Sequence, residues 1–183
     1  MTTTKIGGTF ALGALAALAA LAPFTAIQAN AAPQNDPDGD APATCRADQL
    51  RVGYVDYVPG SGGAGSFSQQ VTVQNTDPNQ TCSVAKIPNV TPVDDAGNRV
   101  APDAAILGTD VPPTELAPGE RAVAEVRSTH PENYPDCEVV TAAKLRISES
   151  TTGIDATIGV DGGLKTCANP DIAVQKISDW AKV

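Results

Sequence analysis

The sequence predicts an all-β protein folded as an antiparallel sandwich. Three observations carry this. Apolar and polar residues alternate over several short runs. These runs recur at intervals of about ten residues, broken by Gly, Pro and Asn. No segment spaces its apolar residues with a helical period. The 16 Gly and 15 Pro among 183 residues agree with many strands and turns. Aromatic residues make up only 4%, so the core must be filled by Val, Ile, Leu and Ala.

Taken in order, Leu50–Val58 reads as the first strand. In "FSQQVTVQN", Phe67, Val71 and Val73 fall on one face, and Ser68, Gln70, Thr72 and Gln74 on the other. "NTDPNQ" then supplies a turn. Cys82–Ile87 opens the next strand. "IPNVTPVDDAGNRV" reads as a strand ending at Val93, a turn over Asp95–Asn98 and a return through Val100. "TELAPGERAVAEVRS" reads as a short strand, a turn at Pro118-Gly119, and Ala122–Ser128 with Ala122, Ala124 and Val126 inward. "VVTAAKLRISESTTGIDATIGV" reads as a hairpin. Its first strand should turn Val139, Ala143, Leu145 and Ile147 to one face, and its second Ile154, Ala156, Ile158 and Val160. "DGGL" should turn the chain again, Ile172–Ile177 should form the last strand, and "ISDWAKV" one frayed helical turn.

The ends of the chain carry other signals. Lys5 precedes "GGTFALGALAALAALAPFTAI", and Ala29-Asn30-Ala31 fits the small-x-small rule for signal peptidase. Residues 1–31 are therefore expected to be a signal peptide, cleaved before Ala32. The mature chain would have no membrane span and would be secreted or held in the cell envelope. Residues 32–44, "APQNDPDGDAPAT", read as a disordered acidic linker, and 45–183 as one sandwich domain. The alternation of Asp36, Asp38 and Asp40 resembles a calcium loop, but no Glu follows at the EF-hand distance.

Cys45, Cys82, Cys137 and Cys167 form an even set beyond the export signal, which favours two disulfides. No CxxC pair exists to suggest zinc or thiol redox chemistry. Cys45 and Cys82 precede the first and third strands, which start at the same end if the second runs back between them. Cys137 and Cys167 precede Val139–Ser148 and Ile172–Ile177 in the same way. The expected pairs are Cys45–Cys82 and Cys137–Cys167. Each closes a loop of about 30 to 40 residues, worth roughly 3–4 kcal/mol.

An ordered set of short motifs resembles a known family. It runs from a Cys before the first strand, through "AGS", "QN", "TC", "IPNV" and "DAGNRV", to "LAPGE", "NYPDC" and a final Cys. Between about Cys45 and Val174 this is similar to a family of exported actinobacterial domains of unknown function. The chain departs from it at Lys86 and after Val174. The resemblance implies an immunoglobulin-like sandwich outside the cytoplasmic membrane and brings no catalytic residues with it.

Chemistry-bearing groups are sparse. The formal net charge of −9 and the lack of any Lys/Arg cluster argue against a nucleic-acid partner. His130, in "STHPENYPDC", is the only histidine, so any Ser-His-Asp triad would run through it. There is no G-x-S-x-G elbow, and "GSGGAGS" precedes a strand and so is no phosphate loop. Asp94-Asp95 lies in a turn that favours Asp for backbone reasons. Glu132 and Asp136, with Asp103 or Asp110, could in principle hold a cation; chance proximity in an acidic chain is the favoured reading. The sequons at Asn79 and Asn89 are read as incidental, and no cofactor is expected. Tyr54 and Tyr57 fall on opposite faces of their strand.

The expected function is a non-catalytic, monomeric domain that binds an extracellular or envelope partner. The expected surface is the glycine-rich loop with Tyr57, Pro59, Gly60, Ser61, Gly62 and Gly63. The alternatives are a secreted enzyme inhibitor acting through that loop or "STHPENYP", and a small carboxylate-based hydrolase.

Overall fold

The computed structural model describes residues 41–55, 58, 62–84, 87–108 and 112–183. The chain divides into residues 1–39 and 40–183, and the described residues all fall in the second unit. The expected signal peptide lies outside them.

The described strands are β1 (Leu50–Val55), β2 (Ser66–Asn75), β3 (Cys82–Val84), β4 (Asn89–Val93), β5 (Ala105–Ile106), β6 (Thr114–Leu116), β7 (Arg121–Thr129), β8 (Val139–Glu149), β9 (Ile154–Cys167), β10 (Gln175–Ile177) and β11 (Ala181–Lys182). No α-helix occurs among the described residues, only short 3₁₀ turns at Ala47–Gln49 and Pro131–Asn133. One sheet runs β1-β2-β7-β10-β5, with β11 also on β7; a second runs β4-β8-β9; β3 and β6 form a ribbon. All strand pairs are antiparallel except β10 with β5.

The sandwich follows from alternation. Val71 and Val73 of β2, with Ala122, Ala124 and Val126 of β7, are fully buried. They share one core with Val90 of β4, Leu145 and Ile147 of β8 and Leu164 of β9. At roughly 25 cal/mol per Å² of apolar surface, this aliphatic core is the main favourable term. Trp180 adds one buried aromatic. Pro92 lies in β4, an edge strand, where a missing N–H breaks no ladder.

Both disulfides form as expected, Cys45–Cys82 and Cys137–Cys167. For the first, the reasoning holds in detail: Thr44 bridges Ser83 in parallel, so the lead-in to β1 and β3 start together. Ser83 N donates to Ala43 O and Cys45 N to Ser83 O, so Ala43 and Thr44, at the end of the segment read as linker, run alongside β3. For the second, the pairing is right and the premise is corrected. Cys167 ends β9 opposite Val139 and does not open a later strand.

The β8–β9 hairpin departs from simple alternation. Its register shifts between Ala142 and Lys144, and Val160–Gly163 of β9 bulge out opposite Ala143 alone. Val139 is therefore exposed and Ala142 buried, the reverse of the expected phase upstream of the bulge. "DGGL" does not turn the chain. Gly162 and Gly163 take φ near 75° and 76° within one continuous strand. The last strand is also shorter than expected, Gln175–Ile177, and the tail forms β11 along β7 instead of a helical turn.

The end of β2 is joined to its surroundings through one side chain. Asn75 is fully buried. Its Nδ2 donates to Gln80 O at 2.8 Å and Leu116 O at 2.9 Å, and its Oδ1 accepts from Asp77 N at 3.0 Å. The amide thus ties β2 to its own turn and to β6. Asn75→Ala removes all three bonds from a buried site and should cost about 3 kcal/mol by urea unfolding. Asn75→Asp, which keeps the acceptor but presents oxygen to two carbonyls, should be no better.

Candidate functional site

The glycine-rich segment and the His130 loop were the two loops singled out by sequence, and the fold brings them together at one end of the sandwich. Tyr57, Pro59, Gly60 and Ser61 lie outside the described residues; Gly62 and Gly63 are described and exposed. Gly63 and Ser66 exchange backbone hydrogen bonds, closing a tight turn before β2. Gly65 O then accepts from His130 N at 2.9 Å and from Asn133 Nδ2 at 3.3 Å. One carbonyl so anchors the second loop to the first.

Gly65 is required there. Its φ is +80°, and a Cβ at this position would lie 2.7 Å from Asn133 Nδ2. Gly97 has a similar φ of +87° with nothing within 4 Å, so it isolates the backbone term.

Two clefts flank the ridge formed by Gly65, His130 and Asn133. The first, about 430 Å³, is lined by Phe67, His130, Pro131, Val160, Leu164 and Lys165 among others. The Phe67 and His130 rings lie 5.8 Å apart and tilted by 52°. Lys165 Nζ donates to Glu132 Oε1 at 3.1 Å, pinning the 3₁₀ turn to β9. Hydrogen bonds to its own backbone and to Lys165 hold the Glu132 carboxyl below the usual glutamate range. The bulge in β9 brings Val160, Asp161 and Gly163 to this cleft. The second cleft, about 330 Å³, lies on the outer face of the large sheet and takes in Gly65, Ser66, Leu107, Arg127, Asn133 and Lys176.

Asp94, Asp103, Glu149 and Asp155 lie elsewhere and are engaged. Asp103 accepts from Thr91 and Arg99, away from Glu132; Asp110 is not described. Among the described residues, no group of three or more His, Cys, Asp or Glu could hold a metal ion. Asp94 caps its turn by accepting from Asn98 N and Nδ2. A third cleft, about 460 Å³, contains Glu149 and Asp155 at the β8–β9 turn. Arg146 holds Asp155 by two hydrogen bonds of 2.6 and 2.7 Å and keeps its carboxyl below the usual range. Burial pushes Glu149 up, but hydrogen bonds from Thr151 and Thr152 outweigh it and leave its pKa lowered. Among the described residues, every carboxylate with a displaced pKa is displaced downward.

Tyr54 is half-buried against the core and Trp180 is buried within it, so neither presents an aromatic face at the ridge. Sequence reasoning missed Asn133, Arg127 and Lys176. Arg127 and Lys176 meet only through strand register, which leaves no local pattern.

The family described as a domain of unknown function, DUF4232, matches residues 19–178. The chain belongs to this family. No curated protein and no solved structure matches it. The family description assigns no activity, so the chemistry of the site stands on its own residues. Among the described residues no helix is long and apolar enough to cross a membrane.

Two outcomes are expected. Gly65→Ala should lower stability by about 1–2 kcal/mol from the left-handed backbone alone. It should lose more than Gly97→Ala in urea unfolding and speed amide exchange at His130. For Glu149, the folded pKa is depressed, so its contribution is present above the ordinary glutamate value and is lost as pH falls through the folded pKa. Wild type should exceed Glu149→Gln most at about pH 6, and thermal melts should show the gap closing toward about pH 3.

Proposed function

We propose that the chain is an exported, non-catalytic binding domain of the cell envelope or extracellular space. Its recognition surface is the sandwich end where the glycine-rich segment meets the His130 loop. The observation that carries this is the bonding of Gly65 O to His130 N and Asn133 Nδ2, which joins the described end of the glycine-rich segment to the His130 loop and gives a ridge with an open cleft on each side. Groups held in place by such bonds lose little conformational freedom on binding. Two disulfides within a chain that starts with a signal-like segment support an oxidising destination.

The engaged carboxylates weigh against the hydrolase alternative. Raised pKa values in a shared cleft would favour it, and the displaced carboxylates move the other way. The inhibitor alternative draws on the same surface, because Cys137, at the end of the His130 loop, is fastened to Cys167.

The test is capture from the culture's secreted and envelope fractions by the immobilised, oxidised protein. Wild type should retain a component that His130→Glu loses and Asp48→Lys, at the opposite end of the strands, keeps. Equal capture by all three would refute the surface. Hydrolysis by the purified protein that disappears in His130→Ala would refute the non-catalytic reading.

A further inference from the structure

The second cleft sets two cations side by side. Arg127 of β7 and Lys176 of β10 are direct cross-strand partners. Their chain neighbours Val126, Ser128, Gln175 and Ile177 are all buried, so both side chains point outward on one face. Like charges placed directly opposite each other cost stability. A chain with 21 acidic residues and a net charge of −9 had ample means to neutralise them. It does not: among the described residues, neither Arg127 nor Lys176 forms an ion pair. Glu125 shares their face two residues along β7 and takes its hydrogen bond from Ser68. Among the described residues, none that lines the cleft is acidic.

The remaining polar groups at the cleft are suited to donate. Arg127 Nη2 reaches only Ser66 Oγ, at a long 3.5 Å, which leaves most of its N–H groups available. Asn133 Nδ2 uses one N–H on Gly65 O and has a second. Thr129 adds a hydroxyl. Leu107, about half exposed, forms an apolar wall. A guanidinium fork beside an ammonium, with neutral donors around them, matches the oxygens of a carboxylate or phosphate.

We infer that this cleft binds an oxyanion group, a carboxylate or phosphate, borne on an otherwise uncharged part of the partner. This rests on the sandwich end being the recognition surface and names the chemistry recognised there. Arg51 and Arg121 provide an internal control. They lie on the same outer face, both opposite Gln74, toward the far end of the strands.

The test is a titration of the oxidised, ¹⁵N-labelled protein with sodium acetate and, separately, sodium phosphate, at constant ionic strength against chloride. Saturable shifts should gather at the amides of Gly65, Ser66 and Lys176 and at the Asn133 side chain. Whichever anion saturates at lower concentration identifies the source. Arg127→Gln should weaken binding by about tenfold or more, and Arg121→Gln should leave it unchanged. In chloride alone, Arg127→Gln and Lys176→Gln should melt at or above the wild-type temperature, because each relieves repulsion. Shifts that fail to saturate or spread equally to Arg51 and Arg121 would overturn the inference. So would variants that bind as wild type does, or that melt lower in chloride. If the component captured by wild type is lost with His130→Glu but kept with Arg127→Gln and Lys176→Gln, the oxyanion inference fails and the recognition surface stands.

Discussion

The structure depends on the buried amide of Asn75. An aliphatic core holds sheets together without direction, because burial of Val, Ile and Leu is indifferent to register. The small ribbon β3–β6 has few residues with which to fix itself. Asn75 supplies what the core lacks. Its two donors and one acceptor are all satisfied, so it commits the end of β2 to the turn below it and to Leu116. Any displacement would strand polar atoms in the interior, at a cost far above that of the bonds themselves. Backbone bonds from Asn75 N to Glu120 O and from Gly119 N to Asn75 O secure the start of β7 at the same place. The Cys45–Cys82 disulfide then fastens β3 on its other side.

With that end fixed, β2 and β7 run antiparallel from Gln74–Arg121 to Ser66–Thr129, and their far ends meet where the two loops meet. The two ends use particular polar groups differently. At the Asn75 end the buried amide is saturated. At the Gly65 end, among the described residues, Arg127 makes one long hydrogen bond, to Ser66 Oγ. The carboxylates follow the same division. Those at the β8–β9 turn are held by Arg146 and by threonines, whereas among the described residues the cations at the second cleft form no ion pair. A domain that works by binding would concentrate unused polarity in this way.

Much of the fold was legible because it is local. Period-two alternation in β2 and β7 gave the inward faces, and Pro118-Gly119 gave the turn between β6 and β7. The errors in the β8–β9 hairpin have one cause, which is that a bulge with unequal residue counts inverts a strand's faces. Ala143 and Val160–Gly163 bulge in the middle of the β8–β9 hairpin, so Val139 points outward and Ala142 inward. Glycines with positive φ serve a bulge as well as a turn, and "DGGL" has the same composition in either. The tail misled for a related reason. Ser178–Trp180 interrupt the pairing along β7, and Trp180 turns into the core, which removes the alternation expected of a strand.

By itself the sequence determined the all-β class, the aliphatic core and the Cys45–Cys82 pair, because each follows from residue type and spacing along the chain; it named Cys137–Cys167 too, on a strand order that the structure corrects. It also marked the two loops, since runs of glycine and proline interrupt the alternation of the strands. Only the tertiary structure decided that these loops share an anchor at Gly65 O, that Asn133 belongs beside them, and that Arg127 stands opposite Lys176. Arg127 and Lys176 are 49 positions apart in the chain and adjacent in the sheet. Register between strands distant in sequence is set by packing of the whole sandwich, and no local pattern records it.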